Sequence, residues 1–289
     1  MGKRFDTMLF PGGKKKAFTL SYDDGVIQDR RLTEICKKYG VKATFNLNAG
    51  VLGYQQVVQP RMGGGKSVDI SKVNPEEVKD LYDGLEVGGH GLYHSSLVDV
   101  KAPLASYEIV EDKCQLEKLV GYPMKMFAYP FGIFNDEVKQ LLRNAGYRGA
   151  RTIVSTHTFD IPKDLMEWNP TCHHKDEKLM ELAQQFCERP AFRTELFYVW
   201  GHGYEFDGDD NWDVIEDLVK YVSQYKDDIW FATNSEIIDY IEAYNRLEYS
   251  VDGSLIRNPS AIDVWIGTDF MQKEQLKKGE VTAVKDTAL

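Results

Sequence analysis

The sequence predicts an α/β barrel of alternating strands and helices, with a small β appendage at its C-terminal end. Three observations point there. Strand and helix signals alternate from residue 16 to about residue 245. Four short runs bearing metal-ligand or acid–base side chains each follow a predicted strand, and in such a barrel all strand carboxyl ends open onto one face. Past the alternation, Leu247–Ile256 holds Asp252-Gly253 between two strand-like runs, a hairpin signal. We therefore divide the chain into a barrel over residues 1–246 and a hairpin appendage with a charged tail over residues 247–289.

Taken in order, Ala17–Tyr22 is aromatic and β-branched enough for a strand, and Asp23-Asp24-Gly25 ends it. A helix follows over Ile27–Tyr39, with Leu32, Ile35 and Cys36 at helical spacing and Gly40 as its stop. Val41–Leu47 is the next strand. Residues 48–73, rich in Gly, Gln and Pro, break the alternation and predict a long loop at the site end, a lid or substrate wall. Asn74 caps a helix that starts at Pro75. Leu85–Gly88 is a short strand leading to His90. Helices are expected near 104–120, 135–145, 175–189, 212–225 and 236–246, and strands near 124–129, 147–153, 196–200 and 229–232.

Composition excludes some classes. With 43% hydrophobic and 28% charged residues in 289, the chain is an ordinary globular sequence. Its formal charge of −10 speaks against nucleic acid or an anionic membrane as partner. No run approaches the ~18–20 apolar residues a membrane span requires, and the N-terminal segment lacks the apolar stretch of a signal peptide. Cys36, Cys114, Cys172 and Cys187 show no CxxC spacing and read as reduced thiols, so a cytoplasmic location is expected.

The chemistry sits in Ser21-Tyr22-Asp23-Asp24-Gly25, Gly89-His90-Gly91-Leu92-Tyr93-His94, Phe127-Ala128-Tyr129-Pro130-Phe131-Gly132 and Val199-Trp200-Gly201-His202. Adjacent aspartates on a regular strand point to opposite faces, but at a strand end Gly25 frees both carboxylates to turn into one pocket. Alone, the pair reads equally as a solvated turn. His90 and His94 are four positions apart, the spacing that aligns side chains on a helical face, and the glycines place His90 at a loop-to-helix junction. Two neutral imidazoles with one carboxylate suit a catalytic Zn2+ with open coordination positions. The same set accommodates Co2+, Mn2+, Fe2+ or Ni2+, and it also serves non-haem iron oxygenases. His202, flanked by Gly201 and Gly203, reads as a structural histidine, a third ligand, or a group approaching substrate.

Two other signals fail. The run Gly63-Gly64-Gly65-Lys66-Ser67 lacks the glycine a phosphate loop needs, since Pro60 stands there. Cys172-His173-His174 is expected to be a polar loop, because adjacent residues rarely share one ion with good geometry.

Together with Lys42-Ala43-Thr44-Phe45, these runs resemble the polysaccharide deacetylase family, carbohydrate esterase family 4, over residues 16–245. The resemblance implies a distorted (β/α) barrel and hydrolytic removal of an acetyl group from an N- or O-acetylated carbohydrate. It assigns Asp23 as catalytic base, Asp24, His90 and His94 as metal ligands, and His202 as catalytic acid, with Tyr129, Pro130 and Phe131 at the substrate and oxyanion. Ala128 stands where the family has an arginine that orients the aspartate, and Arg151 is expected to replace it. The family's Asp-Trp motif is absent; Glu167-Trp168, near Asp160 and Asp164, is the closest pair, and it assigns no partner to His202. Tyr93, Tyr129, Phe131, Trp200 and Tyr204 could wall a sugar site, and Asn46 and Asn48 could contact substrate. Two alternatives remain: an amidohydrolase of small C–N compounds such as allantoin or a cyclic imide, and a carbohydrate-binding protein without activity.

Overall fold

The computed structural model describes residues 5–59, 66–268 and 272–284. The strands in chain order are β1 (Phe5–Leu9), β2 (Lys16–Asp23), β3 (Ala43–Leu47), β4 (Val57–Val58), β5 (Val68–Asp69), β6 (Glu86–Gly89), β7 (Met126–Ala128), β8 (Gly149–Arg151), β9 (Cys172–His173), β10 (Glu195–His202), β11 (Ile229–Phe231), β12 (Glu248–Tyr249), β13 (Leu255–Arg257), β14 (Val264–Thr268), β15 (Lys273–Leu276) and β16 (Val281–Ala283). The helices are α1 (Asp29–Tyr39), α2 (Val78–Leu81), α3 (Ala102–Val120), α4 (Asp136–Asn144), α5 (Leu179–Glu188), α6 (Tyr204–Asp209), α7 (Trp212–Ser223) and α8 (Asn234–Asn245).

The main sheet is parallel, ordered β8-β7-β6-β3-β2-β10-β9, with β11 also against β2. Both flanks of β2 are occupied, and all eight of its residues are buried. Here β3 pairs with its carboxyl half, Leu20–Asp23, while β11 pairs with its amino half, Lys16–Phe18. The two ends of the sheet are joined by the segment from Trp168 to His173. Trp168 bridges to Arg151 of β8, and Cys172 and His173 pair with β10. The result is the expected distorted (β/α) barrel.

Strand side chains alternate between faces, and the two faces differ here. Phe18, Leu20, Tyr22, Phe45, Val87, Phe197 and Val199 point outward into an apolar layer beneath the helices. The alternate positions, Thr19, Ser21, Asp23, Thr44, Asn46 and Glu86, are polar and fully or nearly buried. Most of their polar atoms bond one another or the start of α8. Thr19 donates to Asn234 Oδ1 at 2.9 Å, Asn234 donates to the Tyr198 hydroxyl at 2.5 Å, and the Asn234 N–H donates to Thr44 Oγ1 at 3.0 Å. Thr44 in turn donates to Glu86 at 2.7 Å, and Glu86 also takes the Ser235 N–H at 3.0 Å. A buried polar group without such partners would be costly.

The predicted hairpin forms between β12 and β13. Part of the segment expected as a tail instead forms β15 and β16, in sheets ordered β1-β14-β15 and β12-β13-β16. On the edge strand β15 Lys273 is exposed and Glu274 half-buried while Leu276 is buried, so charge does not preclude a strand. Val264, Ile266 and Leu276 pack with Phe10 and with Ile237, Ile238 and Ile241 of α8. Residues 285–289, and Gly63-Gly64-Gly65 of the glycine run, lie outside the described residues. No helix among the described residues is long and apolar enough to cross a membrane. All four cysteines are free thiols.

Asp29, the first residue of α1, is fully buried and accepts a hydrogen bond from the Tyr82 hydroxyl at 2.7 Å. Burial pushes its pKa well above the ordinary range, outweighing that bond. A carboxyl whose folded pKa is raised adds stability below its unfolded pKa and loses it as pH rises through the folded value. Asp29→Asn keeps the acceptor and removes the titration. Urea denaturation should therefore show the variant gaining on the parent as pH rises from 4.5 to 8.

Candidate active site

Asp23 is the last residue of β2, and its β10 partner in register is His202. The chain then turns sharply: Asp24 takes φ +80° and Gly25 φ +59°. A Cβ on Gly25 would come within 2.8 Å of the Leu47 side chain, so only glycine fits this turn. Held by its N–H to Asn46 O at 2.9 Å, Asp24 faces the same pocket as Asp23. Its Oδ1 lies 4.0 Å from His90 Nε2 and 3.8 Å from His94 Nε2.

The residues from His90 to His94 do not form a helix. Gly91 has φ +78° and His94 φ +59°, and these left-handed residues curl the chain into a turn. The four-residue spacing still converges the rings, whose centroids are 4.7 Å apart. His90 Nδ1–H donates to Ala128 O at 2.8 Å, which presents the Nε2 lone pair to the pocket. Burial holds both imidazoles below their ordinary pKa, His90 at about 4, so both are neutral at pH 7. Asp24, His90 and His94 thus form a donor set that fits a divalent cation: one carboxylate and two neutral imidazoles, their ligand atoms mutually close.

Arg151 lies against Asp23. Its Nη2 donates to Asp23 Oδ2, its Nη1 donates to Thr152 O at 2.9 Å, and its guanidinium stacks 4.2 Å from the Trp200 ring centroid. Ala128, at the position of the missing arginine, offers only its carbonyl to His90. Burial would raise the Asp23 pKa, but Arg151, His90, His202 and the Asn46 hydrogen bond outweigh it and hold it at about 2.

His202 has a carboxylate partner that the motifs did not reveal. Glu205, on the first turn of α6, accepts from His202 Nδ1–H at 3.1 Å and from the His202 backbone N–H at 3.1 Å. The signal was present as His202-x-x-Glu205, an i,i+3 pair at a helix start. Burial opposes charge on His202, but Glu205, Asp23 and Asp24 together raise its pKa. Glu167 instead bonds Lys139 at 2.9 Å, Asp160 pairs with Arg193 at 2.6 Å, and Asp164 caps a short turn, so none of them serves His202.

Cys172-His173-His174 is not a polar loop. It ends β9 and brings two more imidazoles to Glu205, with His173 Nε2 at 3.2 Å and His174 Nε2 at 3.4 Å from Oε2. A Cβ on Gly201 would lie 2.0 Å from His174 Nδ1, so that glycine makes room for the ring. This group has the composition of a cation site. However, His173 Nδ1 accepts the Lys175 N–H at 3.1 Å, so Nε2 carries the proton and donates to Glu205.

Other expected contacts are redirected. Tyr129 is buried, with its hydroxyl on Met166 O at 2.8 Å, and does not wall the pocket. Asn46 donates to Ser21 and Asp23, and Asn48 donates to the carbonyls of His90 and Gly91, so both shape the site from within. Pro130 is buried near Gly91. Phe131, 55% exposed at φ +60°, sets its ring 4.5 Å from His94, and Tyr93 is equally exposed.

A sequence model of the polysaccharide deacetylase family matches residues 11–150, the segment holding Asp23, Asp24, His90 and His94. No curated protein sequence matches the chain. Among solved structures, the fold is similar to that of a protein from Mycobacterium smegmatis assigned to the polysaccharide deacetylases (TM-score 0.56, 17% identity, 84% of this chain and 96% of that one). It is also similar to the Xyl-CE4 domain of a multidomain xylanase from the hindgut metagenome of Trinervitermes trinervoides (TM-score 0.51, 16% identity, 82% and 96%). Against the Streptococcus pyogenes deacetylase PplD in complex with acetate, the match covers 52% of this chain and 61% of that one, at 22% identity and TM-score 0.43. The chain thus spans less than two thirds of that relative. The resemblance to the family and the barrel fold are both borne out.

Arg151 is wholly buried and compensates a buried carboxylate. Arg151→Ala leaves Asp23 unpaired and should destabilise the protein by about 3–5 kcal/mol in urea denaturation. Arg151→Lys, a point charge without the planar fork, should recover only part of that loss.

Proposed function

We propose that this chain, matched over residues 11–150 by polysaccharide deacetylases, is a metal-dependent hydrolase removing an acetyl group from an N- or O-acetylated carbohydrate. One observation carries the reading. Asp24, His90 and His94 form a donor set beside an arginine-paired Asp23, and a carboxylate-held His202 ends the neighbouring strand in register with Asp23.

Asp24, His90 and His94 would hold the cation, with Zn2+ the best match to two imidazoles and a carboxylate, and Co2+, Mn2+, Fe2+ or Ni2+ as alternatives. Asp23 serves as base. Arg151 and Asn46 fix its orientation and keep it ionised at neutral pH, which also makes it a weak base. The water it deprotonates must therefore be acidified, and a bound divalent ion supplies that by lowering water's pKa from ~16 toward ~7. His202 serves as acid. Glu205 fixes Nδ1–H and favours the protonated ring, leaving the Nε2 proton for the departing amine or alcohol. An amine leaves poorly without that proton.

Two observations bear on the substrate. Phe131 and Tyr93 are exposed beside His94, an open aromatic rim suited to a sugar ring rather than to a small cyclic amide enclosed in a cavity. A cytoplasmic setting would favour a soluble acetylated oligosaccharide over assembled polymer. The Asp23–Arg151 pair and the His202–Glu205 pair favour catalysis over simple binding.

Acetate release from chito-oligosaccharides and from acetylated xylan, with and without chelator, tests the proposal. The expected result is release that chelation abolishes and Zn2+ or Co2+ restores. No release from either substrate by metal-loaded protein would defeat it. Asp24→Ala, His90→Ala and His94→Ala should lose metal and activity together. Asp23→Asn should keep the metal while turnover falls by ~10²-fold or more.

A further inference from the structure

We infer that Glu108 and Asp112, two buried carboxylates one turn apart on α3, are positioning residues that shape the His90–His94 turn for metal binding. This inference rests on the metal-site reading of Asp24, His90 and His94. The buried stripe of α3 runs Ala105, Glu108, Ile109, Asp112 and Leu116, so two acids interrupt an otherwise apolar face. Buried carboxylates are costly unless their oxygens are satisfied, and these are satisfied by the segments that carry the site.

Asp112 accepts the Ala49 N–H on Oδ1 at 2.8 Å and the His90 N–H on Oδ2 at 3.1 Å. It therefore ties the loop after β3 to the first histidine. Glu108 accepts the Tyr93 N–H on Oε2 at 2.9 Å and the Ser95 hydroxyl on Oε1 at 2.9 Å. Its own carbonyl accepts the Leu92 N–H at 3.1 Å. Positions 90, 92, 93 and 95 are thus all bonded to one helix, and His94 lies between two of them.

The glycines flanking His90 belong to this arrangement. A Cβ on Gly89 would stand 3.0 Å from Asp112 Oδ2 and 2.2 Å from the Tyr147 hydroxyl. A Cβ on Gly91, which has φ +78°, would stand 3.6 Å from Glu108 Oε2. Gly89 opens the approach of Asp112, whereas 3.6 Å is ordinary contact and Gly91 is needed for its left-handed backbone. The turn has no helical ladder of its own, so α3 holds its N–H groups while Asn48 and Ala128 O hold the His90 and Gly91 carbonyls and the His90 ring.

The chemistry distinguishes the variants. Asp112 uses both oxygens on two N–H donors, and an asparagine amide can serve only one. Glu108 meets one N–H and one hydroxyl, and a glutamine can serve both because the Ser95 hydroxyl can turn to accept. Zn2+ affinity of chelator-stripped protein should weaken by ~10-fold or more in Asp112→Asn and in Glu108→Leu. Glu108→Gln should stay within about threefold of the parent. The Co2+ absorption band of the site should shift in the first two variants alone, as it would not for a purely structural role. Amide hydrogen exchange across residues 89–95 in the metal-free protein should accelerate in the same two. Asparagine and glutamine are near-isosteric replacements, so the comparison of Asp112→Asn with Glu108→Gln stands even if Glu108→Leu does not fold. Unchanged affinity and unchanged exchange in Asp112→Asn would overturn the inference. If the parent itself binds no Zn2+, the metal-site reading fails, and the exchange comparison still decides whether α3 shapes the turn.

Discussion

The in-register parallel pairing of β2 with β10, from Lys16 beside Glu195 to Asp23 beside His202, is the constraint on which the rest depends. Register fixes which residues end the strands together, and the pleat fixes which of them face inward. A slip of one residue on β2 would turn Asp23 into the helix layer and Tyr22 into the pocket. The apolar residues alternating along β2 and β10 prevent that slip, because Phe18, Leu20, Phe197 and Val199 can be buried only on the outer face. Packing of the outer layer therefore places the inner chemistry.

Charge in the pocket is arranged by pairing rather than by exposure to water. Arg151 comes from β8, at the edge of the sheet, yet reaches β2 because the segment 168–173 draws the two ends of the sheet together. The guanidinium that pairs with Asp23 comes from β8, and Ala128 offers its carbonyl to His90 Nδ1–H. Glu205 similarly comes from the helix that follows β10 instead of from a separate motif.

Much of this was legible in the sequence. Alternating strand and helix signals gave the barrel because each strand is short, apolar on one face and stopped by glycine or polar residues. The candidate donor set is visible because Asp24, His90 and His94 follow strand ends. The spacing of His90 and His94 predicts a helical face, but a turn that folds back brings i and i+4 together as well, and the positive φ of His94 leaves no local signature. A place at a strand end predicts exposure for Tyr129, Asn46 and Asn48, whereas all three are buried. Glu205 carries no family motif, and its place three residues past His202 is the one local sign of the pair. The spacing rule for ligands does not bear on His173, which donates to the Glu205 carboxylate, or on His174, whose buried ring lies beside it.

The hydrogen-bonded column inside the barrel links Thr19, Asn234, Tyr198, Thr44 and Glu86. Above it, Asn46 joins Ser21 to Asp23. An oily barrel interior can be re-engineered one methylene at a time, since its contacts carry no direction. This interior is closer to a chain of directed pairs, so altering one member strands another. Attempts to retune the chemistry at the mouth will be felt at the base, and substitutions that harden the base will be read out at the mouth.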